Sequence, residues 1–212
     1  IQNKILSIYE TIESLQSHLN LLKEELAVNP MNISNMDEID AIASTISNMT
    51  TADNIRSLIL KGESKTREFK ETFSLNLHTK NRDKEIEFSA LKTIVGFLNT
   101  EGGKLIIGVN DASLKIVGVD NEIKKQHMDS SDKYLLHFKN AIKEHIGIDY
   151  SEFIEYNLMQ IDNVNLLIVD CLKSNRPCYV DKVKFYVRTN PSTDLLEGDQ
   201  FLKYIETHFK NR

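Results

Sequence analysis

Apolar residues open the chain at alternating spacings of four and three: Ile1, Ile5, Ile8, Ile12, Leu15, Leu19, Leu22 and Leu26. This is a heptad seam, with Ile5, Ile12, Leu19 and Leu26 at the a positions and Ile1, Ile8, Leu15 and Leu22 at the d positions. A helix packed on its own domain carries a wider apolar stripe, whereas the positions flanking this seam are mostly polar. Residues 1–28 are therefore expected to be a coiled-coil helix, with residues 1–27 driving homo-oligomerisation. Ile at both seam positions early and Leu at both later leaves dimer, trimer and tetramer open. Asn29-Pro30 ends the helix, because proline disfavours a helical residue before it and cannot donate to the preceding turn. Residues 29–51 read as a linker and a second helix, with Ile39, Ile42, Ala43 and Ile46 on one side.

From residue 52 onward the pattern is that of one domain. A short helix runs through Leu60 and closes at Gly62, a residue suited to the left-handed conformation beyond a helix end. Thr66 to Thr72 reads as a strand, with Glu68 and Lys70 on one face and Arg67 and Phe69 on the other. Helical spacing returns from Asp83 to Leu98, and an Asn99-Thr100-Glu101-Gly102-Gly103 turn then feeds the apolar strand Lys104 to Val109. Leu114 to Val119 completes a hairpin, and Tyr134 to His145 is a further helix. Phe153 to Ile161 and Val164 to Leu172 pair across Asp162-Asn163, Val180 to Arg188 is the last strand, and Asp199 to Lys210 the closing helix. The expected fold is α+β: a mixed, mostly antiparallel sheet with flanking helices.

Charge sharpens this division. The net charge is −5 over 212 residues, yet residues 1–56 hold three basic groups against eight acids, and the remainder carries 23 of each. A neutral domain cannot coat nucleic acid through a general cationic excess, so phosphate contacts would come from a local patch. No run of about 18 apolar residues exists to span a bilayer, which predicts no membrane partner and a cytoplasmic protein. Two cysteines, Cys171 and Cys178, are too few for a disulfide framework or a thiolate zinc site, and the six histidines show no pair at i and i+4. The first residue is Ile rather than Met, which leaves room for a longer polypeptide and for a further N-terminal domain.

Four motifs in order carry a family resemblance: Glu63-Ser64-Lys65-Thr66-Arg67-Glu68-Phe69-Lys70, Phe97-Leu98-Asn99-Thr100-Glu101-Gly102-Gly103, Leu105-Ile106-Ile107-Gly108-Val109-Asn110-Asp111 and Phe185-Tyr186-Val187-Arg188. Residues 52–212 resemble the Schlafen AlbA-type domain. The resemblance implies nucleic-acid binding, in one of two forms. Bacterial members are described as DNA-binding modules of regulators, while eukaryotic Schlafen proteins include metal-dependent endonucleases acting on transfer RNA. Carried over residue by residue, the nuclease acids fall on Glu63, Glu68 and Asp111, which would hold Mg²⁺ or Mn²⁺, with Lys70 beside them as a further catalytic candidate. The family often has two acids after Gly-Val, and here the first is Asn110.

The chemistry is consistent with that set, since hard divalent cations prefer oxygen ligands and clamp charge developing on a phosphate. Glu68 and Lys70 share a strand face about 7 Å apart along the chain. The plainer alternatives are surface ion pairs for the glutamates and a turn-forming role for Asp111. For a nucleic-acid backbone the candidates are Lys65, Arg67, Lys104, Lys182, Lys184 and Arg188, the last three forming a strip along the final strand. The resulting expectation is an oligomeric domain that binds nucleic acid and cleaves RNA, as in a bacterial antiphage nuclease. A non-catalytic DNA-binding module, and a pure assembly domain built on the coiled coil, stand as rivals.

Overall fold

The computed structural model describes residues 51–190 and 192–209, together with Ser17. The coiled-coil seam and the second helix expected before residue 50 lie outside the described residues. The chain divides into two compact units, Ile1–Lys61 and Gly62–Arg212. In the first, residues 51–60 are helical. Gly62 then adopts a φ of 74°, as its place beyond a helix end predicts.

The second unit is built on a four-stranded sheet in the order β1-β2-β6-β5. Strand β1 (Arg67–Lys70) runs parallel to β2 (Gly103–Ile107), and the connection between them is helix α1 (Lys84–Leu98). Parallel neighbours need such a crossover. The side chain of Asp83 starts α1 by accepting from the Glu85 amide. Strand β2 pairs antiparallel with β6 (Val164–Cys171), and β6 with β5 (Ile154–Ile161) across a two-residue turn. Asp162 and Asn163 both have positive φ, 52° and 62°, the backbone of a hairpin turn whose twist matches its strands. The sheet is thus mixed and mostly antiparallel, with flanking helices, as the sequence predicts.

The core lies on the face of the sheet that carries Leu105, Ile107, Leu167 and Val169. Ala90, Leu91, Ile94, Val95 and Leu98 of α1 pack into it, joined by Tyr134, Phe138 and Ile142 of α3 (Ser131–His145). Between β2 and α3 lie two short strands, β3 (Val109–Asn110) and β4 (Lys115–Ile116), and helix α2 (Asp120–Gln126). A 3₁₀ turn (Ile148–Phe153) precedes β5, and β7 (Tyr186–Arg188), β8 (Thr193–Leu195) and α4 (Gly198–His208) close the unit. Among the described residues no helix is long and apolar enough to cross a membrane.

Three departures from the sequence reading matter. Val180 to Arg188 is not one strand: Asp181 and Lys182 take positive φ, 52° and 64°, and fold the chain back so that Val180 bridges Lys184. Only Tyr186–Arg188 remains extended in a ladder, paired with the short strand β8. The helix α2 was also not anticipated, because its seven residues bury only Glu122 and Ile123 and give little periodicity. Finally, Asn99 is more than the first residue of a turn. It is fully buried, its Nδ2 donating to the carbonyls of Cys178 and Tyr186 at 2.8 Å each while its Oδ1 accepts from the Cys178 amide at 2.8 Å. These bonds tie the end of α1 to the segment leading into β7.

Candidate nucleic-acid interface and carboxylate edge

Strand β1 sits at the edge of the sheet, so its side chains are flanked by a strand on one side only. Glu68 and Lys70 point to the same face, as period-two alternation requires, and Lys70 Nζ lies 3.2 Å from Glu68 Oε1. The second oxygen of Glu68 is taken as well. Arg188 Nη1 reaches Glu68 Oε2 at 2.8 Å, and its guanidinium also donates to the Ser64 carbonyl at 2.7 Å and to Thr193 Oγ1 at 2.9 Å. The Arg188 side chain is only 1 % exposed and lies over the Phe97 ring, 5.0 Å from its centroid. It is a buried clamp on the turn before β1, and it cannot offer itself to a nucleic-acid backbone. With Lys182 in a turn and Lys184 stacked 4.4 Å over Phe88, the expected basic strip of Lys182, Lys184 and Arg188 does not form.

Glu63 approaches from the loop before β1, where its Oε1 accepts from the Phe69 amide at 3.0 Å. Partial desolvation raises its carboxyl above the ordinary range; the Phe69 amide opposes this, and the charges of Glu68 and Asp111 add to the rise. The three acids thus share one electrostatic neighbourhood. Asp111 gets there because β1 and β2 are register partners, Glu68 against Leu105, and the chain then turns out of the sheet at Gly108. Gly108 has a φ of 108°, and a Cβ there would come within 2.6 Å of Leu166 and 3.1 Å of the Gly118 backbone, so only glycine fits. The β3–β4 turn that follows carries Asn110 and Asp111. Asn110 Nδ2 donates to Glu71 Oε2 at 2.8 Å and its Oδ1 accepts from the Ser113 amide at 2.9 Å, while Asp111 Oδ1 caps the Ala112 amide at 2.9 Å.

This arrangement does not fit a ready cage for Mg²⁺ or Mn²⁺. Both oxygens of Glu68 are engaged by cations, and Asn110 is spent on Glu71. Among the described residues no group of three or more His, Cys, Asp and Glu side chains stands close enough to hold a metal ion. Electrostatic proximity of Glu63, Glu68 and Asp111 is present; joint coordination geometry is not.

The other sheet face of β1 carries Arg67, whose register partner on β2 is Lys104, and paired residues share a face. Lys104 forms an ion pair with Asp170, its partner on β6. Lys65, in the turn between Ser64 and Arg67, pairs with Glu101 at 2.6 Å and remains 44 % exposed. Lys65, Arg67 and Lys104 therefore gather at one end of the β1–β2 pair. Each acid that meets them is itself substantially exposed, and such pairs contribute only about 0–1 kcal/mol. A phosphate can displace them.

No curated protein matches the chain. Among solved structures, the DIP2311 protein from Corynebacterium diphtheriae is similar at 14% sequence identity with a TM-score of 0.49, over 68% of this chain and 24% of that one. The chain spans about a quarter of that structure's length. The family model described as Schlafen, AlbA_2 matches residues 63–197, from the carboxylate of Glu63 to the start of α4, and points to nucleic-acid binding. By that match, which covers more than half of its length, the chain belongs to the Schlafen AlbA_2 family.

Proposed function

We propose that residues 63–197 bind the sugar-phosphate backbone of nucleic acid, RNA in the first instance, through Lys65, Arg67 and Lys104, without needing to cut it. The observation that carries this reading is the register pairing of Arg67 with Lys104 beside the Lys65 turn, which puts three cations on one sheet end although residues 57–212 carry no net charge. Sequence-independent contacts of this kind act through charge and release counterions.

A second reading, metal-dependent cleavage of RNA by Glu63, Glu68 and Asp111 with Lys70 nearby, draws support from one observation. Desolvation first, and then the negative charge of Glu68 and Asp111, makes Glu63 hold its proton more tightly than an ordinary glutamate. A divalent cation would relieve that crowding. Against it stand the two cations already on Glu68.

One experiment separates the readings. The full chain is titrated with single-stranded RNA and duplex DNA across a salt series, then incubated with transfer RNA and Mn²⁺ beside a chelator control. Replacing Lys65, Arg67 and Lys104 by Ala should each reduce the slope of log affinity against log salt, by about 0.7 for single strands and about 0.9 for duplex DNA. Lys182→Ala with Lys184→Ala should leave it unchanged. Slopes that respond only to the latter pair would sink the proposed face, and chelator-sensitive cleavage would establish the second reading instead.

A further inference from the structure

The four-stranded sheet ends in β1 on one side and β5 on the other, and the two edges differ. β1 is four residues long, with Arg67, Glu68 and Lys70 charged. Its outward amides are already met: Glu63 Oε1 accepts from the Phe69 amide at 3.0 Å and the Ser64 carbonyl from the Arg67 amide at 3.3 Å. Short, charged and capped, that edge carries the devices by which proteins stop a sheet from growing.

β5 carries none of them. Its eight residues, Ile154–Ile161, pair with β6 in an unbroken register without a bulge, include neither lysine nor proline, and hold one charge, Glu155. The hairpin fixes which backbone groups face outward. Ile161 and Val164 close a two-residue turn and so bond to each other, and bonded and unbonded pairs then alternate along the ladder. The Leu172 amide on the Phe153 carbonyl, at 2.8 Å, falls in the same phase. Glu155, Asn157, Met159 and Ile161 therefore turn their amides and carbonyls to β6, while Tyr156, Leu158 and Gln160 aim theirs away from the sheet. Among the described residues nothing bonds to those outward groups. Ile154, next in phase, gives its amide to the Ser151 carbonyl and leaves its own carbonyl outward. Residues 155–160 are all exposed or half-buried, so the strand is not covered.

We propose that β5 pairs antiparallel with β5 of a second copy of this chain, about a two-fold axis at Asn157. The strand selects both the occupant and the register. With Asn157 opposite itself, Tyr156 and Leu158 of one copy exchange amide–carbonyl bonds with Leu158 and Tyr156 of the other, and the Gln160 amide meets the Ile154 carbonyl. On the core face this sets the half-buried Tyr156, which packs edge-on to Phe138, against a half-buried Leu158, twice by symmetry. On the opposite face the two Asn157 amides meet, and the lone charge of Glu155 stands against Met159, so no like charges oppose one another. Moving the axis to Leu158 would put Tyr156 against Gln160 and Glu155 against Ile161, which loses the apolar match. One pair of strands is a small interface of the weak, concentration-dependent class. It gains most where two chains are already held together, as residues 1–27 are expected to hold them. The pairing stands without the nucleic-acid reading, but it has a consequence for it: the two β1 edges, each with Lys65, Arg67 and Lys104, would end one continuous sheet about 34 Å apart, at about 4.8 Å per strand.

The test uses the full chain carrying Asn157→Cys under mild oxidation, followed over a series of protein concentrations. Asn157 is exposed and its side chain bonds to no described residue, so the variant keeps the parent fold. Opposed residues of an unbonded antiparallel pair stand about 4.5 Å apart at Cα, inside the range of about 4.4–6.8 Å that a disulfide spans. Covalent dimers should form, while the buried Cys171 and Cys178 stay reduced. Gln160→Cys is the control on the same strand. Its two copies would lie about 20 Å apart across the axis, so it should link about ten-fold more slowly or not at all. Met159→Lys added to Asn157→Cys sets an ammonium against Glu155 of the second copy, twice per dimer, and should speed linking about 2- to 30-fold. Equal rates at positions 157 and 160, or no linking at 157 at any concentration, would overturn the interface. Faster linking by Leu158→Cys than by Asn157→Cys would overturn the register.

Discussion

Arg188 and Glu68, 120 residues apart, form a buried ion pair at 2.8 Å. The guanidinium is 1 % exposed and the carboxylate 16 %, so neither charge is solvated enough to stand alone. Removing one partner of such a pair costs about 3–5 kcal/mol, because the other charge stays buried without compensation. Glu68→Gln should therefore lower the urea midpoint strongly. Arg188→Met should cost less, since Lys70 still meets Glu68 and Met fills much of the space over Phe97. An unchanged midpoint for Glu68→Gln would mean the pair is not made in solution. The same result bears on any test of cleavage: a lost activity in Glu68→Gln would report on folding as well as chemistry, so Glu63→Gln is the cleaner variant.

Asn99→Ala removes three buried hydrogen bonds at once and leaves the Cys178 amide and the Cys178 and Tyr186 carbonyls without partners. Each orphaned group costs about 1–3 kcal/mol, and the deleted amide leaves a void besides. Loss of about 3 kcal/mol or more is expected from denaturant unfolding. A cost under about 1 kcal/mol would show that water reaches all three groups.

These two positions also mark what the sequence could and could not disclose. Period-two alternation put Glu68 and Lys70 on one strand face, and the helical spacing from Asp83 to Leu98 put α1 between two strands that then pair in parallel. Such signals are local. The burial of Arg188 is not, because it depends on Phe97, Ser64 and Glu68 arriving from distant elements; along the chain Arg188 looks like any cation in a strand. Asp181-Lys182 broke an apolar alternation that read as continuous, since Asp tolerates positive φ and the turn was invisible without its partner strand. The meeting of His127 Nε2 with His137 Nδ1, 3.4 Å apart, was hidden for a like reason. A spacing of ten residues across a helix–helix turn follows no helical repeat, and only the positive φ of Met128 and Asp129 brings the rings together.

Glu63 offers a direct measure of how close the acids lie. Its carboxyl sits above the ordinary range through partial desolvation, with further contributions from Glu68 and Asp111. Because its folded-state value is raised, the folded chain holds this proton more tightly than the unfolded chain. Glu63 therefore detracts from stability above its folded midpoint, and that penalty fades as pH falls through it. Asp111→Asn should move the Glu63 carbon-13 titration midpoint downward, and Glu63→Gln should remove the penalty at neutral pH. A midpoint that ignores Asp111→Asn would place the two carboxyls too far apart to act together.

Of the heptad segment, residues 1–27, the structure describes Ser17 alone. Eight Ile and Leu residues repeat without interruption, and the flanking positions are polar. In a coiled coil the two middle a positions, Ile12 and Leu19, insert into holes on the facing helix, where no water remains. Glu at both would put two unpaired charges into that seam in every subunit, and an isolated buried charge costs several kcal/mol even after relaxation. A seam of about four heptads cannot absorb that loss, so the self-association expected of residues 1–27 should be absent from the Ile12→Glu, Leu19→Glu variant in light scattering. Residues 62–212 form their own compact unit, so its circular dichroism and melting should survive the change. Monomeric chains should also bind nucleic acid more weakly without altered salt slope per domain, because linked domains gain from effective concentration rather than from new contacts. An unchanged mass in the double variant would mean that this stripe packs within one chain, and the parent would then be monomeric too.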